Sequence, residues 1–272
     1  MGIKLITRAD DFGSARAANN AILEAAEKGS IVRNVSCMAV APFIEEGAEE
    51  LKRYQELCIG LHATLNSEWD GIRWKPLSKE ADRAGIVDER GCFFKTQAAL
   101  AQAVPNIEGI LKEYDAQLEK LTSLGLSVEY VDSHMLPELF VQGLLEALQD
   151  WIRKKGLIDT TNYYRFLEGE PLILSEDEEQ NLQRVKQWAK NLQDGEQYSY
   201  IVHPAKDEEE MLRFYNEELP AGTVRRERAQ EYRIVTSDGW KEWADLCGLQ
   251  FLKYSEAAER TDGIEQIKKL LQ

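Results

Sequence analysis

Five side chains of this sequence have the types and the placing that metal-assisted hydrolysis needs. Asp10 and Asp11 follow one apolar run, and the three histidines of the chain, His62, His134 and His203, each follow another. One carboxylate and two neutral imidazoles can bind a divalent metal with open positions, and such a metal lowers the pKa of its bound water. A second carboxylate can then act as general base, and a third histidine can protonate a departing amine. The set favours metal-dependent hydrolysis of an amide or ester.

The elements that carry these side chains alternate between strand-like and helical runs. About seven strands are predicted, at residues 3–7, 34–40, 58–65, 128–132, 157–161, 198–202 and 250–253. Helices are predicted between the strands, at residues 43–54, 107–124, 138–155, 176–193, 207–216, 239–246 and 261–271. Strands alternating with helices predict a parallel α/β sheet wound into a barrel or near-barrel. Because the carboxyl ends of parallel strands open at one mouth, we expect the two aspartates and the three histidines to converge there.

The adjacent aspartates impose a geometric condition on the first strand. Successive side chains of a regular strand face opposite sides, so Asp10 and Asp11 can reach one pocket only if the chain bends at the strand end. Gly13 permits such a bend, and Ser14 is the expected N-cap of the helix that follows. A strictly alternating strand at Asp10 and Asp11 would contradict a shared pocket.

Composition narrows the class of partner. The chain has 33 basic and 48 acidic residues, and its formal net charge of −15 disfavours nucleic acid and anionic membranes. No apolar run approaches the roughly 20 residues of a membrane span and no signal-peptide pattern is found, so we expect a cytoplasmic protein. Cys37, Cys58, Cys92 and Cys247 lack the spacing of metal ligands and are expected to be reduced, buried thiols.

Length predicts a single domain over residues 1–272, because a chain of 272 residues fits one α/β barrel better than two ordinary domains. The segment at about 66–105 is too long for an ordinary loop between a strand and a helix, and it contains Trp69 and Trp74. We expect it to be an excursion on the substrate side or a lid.

Five blocks of the sequence resemble a known family, the YdjC-like carbohydrate deacetylases, which include the chitooligosaccharide deacetylases. They are ADDFG with the following AANNAILEAAEKGSIVRNVSCM, then GLHATLN, VDSH, VHP and RRERAQEYRIVTS, all in the family's order. The resemblance implies a TIM-like (β/α) barrel, complete or distorted, and an N-acetylated saccharide as small-molecule substrate. A homodimer is left open.

The resemblance also implies roles for individual residues. Asp11, His62 and His134 would hold a divalent metal, with Mg²⁺ the first expectation and Zn²⁺, Mn²⁺ or Co²⁺ open. Asp10 would be the base that activates water, and His203 is the candidate acid for the leaving amine. Arg228 would orient Asp10 or a substrate group, with a surface salt bridge to Glu231 as the structural alternative.

One departure from the family bears on specificity. Family members commonly continue the DSH segment with further histidines, whereas here Met135, Leu136 and Pro137 follow. The substrate or the rate is therefore expected to differ more readily than the reaction class. Two other functions stay open: a metal-dependent hydrolase of another amide, ester or phosphoester, and a non-catalytic small-sugar binding protein.

Overall fold

A curved sheet of parallel strands forms the centre of the molecule. The computed structural model describes residues 2–27, 31–165, 177–239, 244–245 and 248–270. Its strands, in chain order β1 to β7, are Ile3–Phe12, Asn34–Cys37, Cys58–Ala63, Val128–Ser133, Ile158–Asp159, Gln197–Val202 and Leu249–Leu252. The sheet order is β5-β4-β3-β2-β1-β6, and β7 pairs with the first half of β1. The predicted parallel strands are thus confirmed.

Helices flank the sheet between the strands. Those of the described residues, α1 to α9, are Arg16–Glu27, Ile44–Leu51, Ala81–Ala84, Gln97–Gln102, Ile107–Ser123, Leu144–Lys155, Glu178–Ala189, Thr223–Thr236 and Gly263–Leu270. The α-helix predicted at 207–216 is wrong, because only a short 3₁₀ turn, Glu209–Arg213, forms there. The helix predicted at 239–246 lies mostly outside the described residues.

The barrel is incomplete. Strands β5 and β6 are the two ends of the sheet, and no ladder joins them among the residues that the structure describes. The segment after β5 approaches β6 through one backbone hydrogen bond, from the Ser199 N–H to the Arg165 carbonyl at 2.9 Å. The fold is therefore a half-barrel with flanking helices, as expected for an incomplete TIM-like barrel.

Alternation along β1 sets what fills the inside of the half-barrel. Leu5 and Ala9 belong to the main apolar core, whereas Ile6 packs in a second cluster with Cys58, Tyr130, Tyr163 and Tyr254. Because successive side chains alternate, Arg8 and Asp10 lie on the same inner side as Ile6. A layer of aromatic side chains therefore supports a layer of buried polar groups nearer the mouth.

The segment at 66–105 packs against the mouth of the half-barrel. Trp74 and Phe93 within it are 2% and 0% exposed. The buried carboxylate of Glu113 in α5 accepts the backbone N–H groups of Leu77 at 3.1 Å and Ser78 at 2.7 Å. This burial and these hydrogen bonds attach the segment to α5, and its role as a substrate-side excursion or a lid stays a prediction.

A close approach inside the half-barrel gives a testable stability effect. Gly60 lies beside Tyr130 in the parallel ladder of β3 and β4, and an added Cβ would lie 2.1 Å from the tyrosine ring. We expect Gly60→Ala to lower the free energy of unfolding by about 1–3 kcal/mol, because the added methyl overpacks the interior. Urea unfolding measures the change. Gly239→Ala, whose Cβ would meet nothing nearer than 3.4 Å, is the control, and equal stabilities would contradict the packing described.

Candidate metal centre

A β-bulge at the end of β1 brings both aspartates to the mouth. Ala9 pairs with Val35 and Phe12 with Cys37, so β1 contains one residue more than β2 over this stretch. Asp11 absorbs the irregularity with a φ of 63°, a left-handed conformation that is costly for a residue with a side chain. The expected break in alternation is confirmed, and it begins at Asp11 itself, before Gly13.

Three potential metal ligands face one another. The Asp11 Oδ1 atom lies 3.5 Å from His62 Nε2 and 3.4 Å from His134 Nδ1, and the two ring nitrogens are 3.2 Å apart. All three residues are buried, and within the described part of the chain no hydrogen bond reaches Asp11 Oδ1. Ligand atoms about 2.0–2.2 Å from a shared ion stand roughly 3.0–3.5 Å from one another. The donor types and their separations therefore fit a divalent metal.

The charges around these ligands favour a cation between them. Burial alone would raise the pKa of Asp11, but Arg228 and the two histidines hold it well below its usual range. Burial alone would lower the pKa of His134, but Glu68 and Asp11 raise it to about 9. The raised pKa favours a protonated His134, so a metal bound by this residue would have to displace that proton.

Asp132 orients His62. The parallel register places His62 opposite Asp132, and the Asp132 Oδ2 atom lies 2.5 Å from His62 Nδ1. The Ser36 hydroxyl donates to the other carboxylate oxygen at 2.7 Å. A carboxylate on Nδ1 fixes the tautomer in which Nε2 is free to bind a metal. Asp132 was missed as a site residue, although it stands in the same VDSH block as His134.

The Arg8 guanidinium holds the Asp10 carboxylate in place. Its Nε and Nη2 atoms bond the two Asp10 oxygens at 2.6 and 2.8 Å, and Nη2 lies 3.2 Å from Asp132. Nη1 donates to the hydroxyl groups of Tyr164 at 2.8 Å and Tyr254 at 3.0 Å. Asp10, His62 and Asp132 form a second group of potential metal ligands among the described residues, but here the Arg8 guanidinium already lies against both carboxylates and compensates their charge. Sequence analysis missed Arg8, whose only signal was its position two residues before Asp10.

His203 stands at the open side of this centre. Its Nε2 atom lies 3.9 Å from Asp10 Oδ2, and its side chain is 40% exposed. Its backbone N–H donates to the carboxylate of Glu231, which fixes the loop after β6 to α8. The five residues predicted to converge therefore do so.

Arg228 requires a correction. It is buried, and its Nη2 atom donates to Asp11 Oδ2 at 2.6 Å, so it contacts the other aspartate of the pair. Among the described residues its salt bridge is with Asp11, and the Glu231 carboxylate accepts the backbone N–H of His203. The guanidinium carbon lies 5.4 Å from the centre of the Phe214 ring, and Nη1 is buried with no hydrogen-bond partner among the residues that the structure describes. Arg228 thus fixes one oxygen of Asp11 and leaves Oδ1 toward the histidines.

Comparison with known proteins agrees with the motifs. A family model described as YdjC-like protein matches residues 4–245. A carbohydrate deacetylase of Thermoanaerobacter pseudethanolicus is 32% identical over 48% of this chain and 49% of its own. The chain thus spans about half the length of that curated relative. A carbohydrate deacetylase of Brevibacillus brevis is 24% identical over 93% of this chain and 99% of its own.

A solved structure supports the fold. A protein of Enterococcus faecalis V583, proposed to act in cellobiose-phosphate cleavage, superposes with a TM-score of 0.71 at 24% identity, covering 94% of this chain and 98% of its own. At that identity the likeness establishes the fold alone. Among the described residues, no helix has the length and apolar character needed to cross a membrane.

Proposed function

Because the chain belongs to the YdjC-like protein family, we propose that it is a metal-dependent carbohydrate deacetylase that releases acetate from an N-acetylated sugar or oligosaccharide. The observation that carries the proposal is the convergence of Asp11, His62 and His134 around the unpartnered Asp11 Oδ1 atom, with Asp10 adjacent. The names of the curated relatives support the substrate class.

Asp11, His62 and His134 would hold the metal. When bound, a divalent ion there supplies Lewis-acid polarisation of a carbonyl and lowers the pKa of coordinated water. We propose Mg²⁺ first, on the family resemblance, while a set of one carboxylate and two imidazoles also suits Zn²⁺, Mn²⁺ or Co²⁺. Asp132 and Arg228 hold two of the three ligands in place through the contacts described above.

Asp10 is the proposed base. Its carboxylate is not part of the metal-facing triad, the name used here for Asp11, His62 and His134. Arg8 donates one hydrogen bond to each Asp10 oxygen. Each oxygen therefore keeps a lone pair that can accept the proton of an attacking water. His203 is the proposed acid, because its half-exposed imidazole reaches toward Asp10 from the open side, where the amine would leave. Arg228 offers its unpartnered Nη1 to a substrate oxygen. A cytoplasmic location and a homodimer remain predictions.

Acetate release from N,N′-diacetylchitobiose tests the proposal. Purified protein is assayed after chelation and again after adding Mg²⁺, Zn²⁺, Mn²⁺ or Co²⁺, beside the His62→Ala variant. We expect release that chelator abolishes, metal restores and His62→Ala lacks. Metal binding without acetate release would favour a hydrolase of another amide, ester or phosphoester. Absence of metal binding would favour a non-catalytic sugar binder.

A further inference from the structure

Glu68 is a buried carboxylate that contacts a metal-facing histidine from outside the triad. Its Oε2 atom lies 3.0 Å from His134 Nε2, while His134 Nδ1 is the ring nitrogen that faces Asp11 and His62. Glu68 is 9% exposed and belongs to the segment at 66–105, which the mechanism above does not use. Its contact has the same form as that of Asp132 with His62, where a carboxylate holds the ring nitrogen pointing away from the triad.

The backbone that carries Glu68 is fixed on both sides. Before it, the Ser67 N–H donates to the Phe94 carbonyl at 2.9 Å, and the Ser67 hydroxyl accepts the Trp74 N–H at 2.7 Å. After it, the Asp70 N–H donates to the Tyr215 carbonyl at 2.7 Å. Side chains supported in this way can hold a partner to the precision that a metal ligand needs.

The same segment also contacts the residue after His134. Met135 and Leu136 both have left-handed backbone conformations, with φ of 60° and 52°, which are costly for residues with long side chains. The Gln97 side chain, in α4 of the 66–105 segment, donates to the Met135 carbonyl at 2.6 Å. The turn that follows His134 is thus held by the segment that supplies Glu68.

We propose that Glu68 is the positioning residue of His134, and that through it the 66–105 segment is part of the metal centre. By accepting the Nε2–H, Glu68 holds the tautomer and the ring orientation in which the Nδ1 lone pair faces Asp11 Oδ1 and His62 Nε2. The inference rests on the proposed function in one respect, that these three atoms hold a metal. It assigns Glu68 no contact with substrate.

Zn²⁺ binding to the full chain provides the first test. We expect the Zn²⁺ dissociation constant to rise about 10- to 100-fold in Glu68→Ala and about tenfold in Glu68→Gln, which keeps the shape but loses the charge. The control is Asp70→Asn, since Asp70 lies in the same segment and pairs with Lys95 at the surface. Should Glu68→Ala fail to fold, Glu68→Gln decides, and wild-type affinity in it would overturn the proposal.

The ring protons of His134 provide a readout that a general loss of packing would not mimic. The chain has three histidines, so ¹⁵N-histidine NMR of the Zn²⁺-loaded protein follows only three rings. We expect a slowly exchanging proton on His134 Nε2 in the wild type and in Asp70→Asn, and its loss in Glu68→Ala. An unchanged Nε2 proton together with unchanged Zn²⁺ affinity in Glu68→Ala would refute the proposed role of Glu68 and leave the proposed function standing. Failure of the wild type to bind any of Zn²⁺, Mg²⁺, Mn²⁺ and Co²⁺ would instead refute the metal-dependent function and this inference with it.

Discussion

Asp10→Asn is expected to lower kcat for acetate release by about 10²- to 10⁴-fold while leaving metal binding intact, because an amide cannot accept the proton of the attacking water. Asp10 lies beside Asp11, His62 and His134, but its oxygens are not among the three potential ligand atoms of those residues that face one another. The loss should therefore fall on the chemical step. Steady-state kinetics with N,N′-diacetylchitobiose and isothermal titration with Zn²⁺ measure the two properties separately.

Asp70→Asn is the matched control for this prediction. It makes the same exchange of carboxylate for amide at a surface pair with Lys95, and its kcat should stay close to that of the wild type. If Asp10→Asn kept wild-type kcat, another group would have to take the proton. If it lost Zn²⁺ binding as well, Asp10 would belong to the ligand set.

Arg8→Met is expected to lower the free energy of unfolding by about 3–5 kcal/mol, because it leaves buried carboxylates without their cation. Arg8 is 3% exposed, and its guanidinium bonds both oxygens of Asp10 and approaches Asp132 at 3.2 Å. The same change removes the support of the proposed base, so kcat should fall even where the protein is folded. Urea unfolding followed by kinetics below the transition measures both effects.

Arg16→Met provides the comparison for Arg8. It removes the same group from a pair with Glu46 whose side chains are 56% and 58% exposed, and such pairs contribute about 0–1 kcal/mol. Equal unfolding curves for Arg8→Met and the wild type would show that the buried carboxylates do not depend on this arginine. A loss of stability without loss of kcat would separate its structural role from its support of Asp10.

Much of the fold and of the site could be predicted because the signals are local. Apolar residues recur along the sequence in short runs separated by helical segments, and a parallel sheet then requires that residues at the strand ends meet. The convergence of His62, His134 and His203 with Asp10 and Asp11 could therefore be predicted without any knowledge of side-chain geometry. The family resemblance assigned the three proposed metal ligands, and no spacing rule could have done so.

The residues that sequence analysis missed act across the fold. Arg8 and Asp132 meet because β1 and β4 present them to the same interior, which depends on register and on curvature of the sheet. Glu68 lies in the 66–105 segment, whose path along the half-barrel could not be inferred from the sequence. Local prediction also failed at Ser14, because α1 begins at Arg16 and the Ser14 hydroxyl is buried without a hydrogen-bond partner among the described residues. The Glu210 carboxylate, which is distant in sequence, accepts the first-turn N–H of Ala17.

The central claim is that Asp11, His62 and His134 bind one divalent metal, and anomalous diffraction from Zn²⁺-loaded crystals tests it most directly. We predict one strong zinc peak about 2.0–2.2 Å from Asp11 Oδ1, His62 Nε2 and His134 Nδ1, with Asp10 still bonded to Arg8. A peak lodged elsewhere in the barrel, or crystals that take up no zinc, would contradict the account.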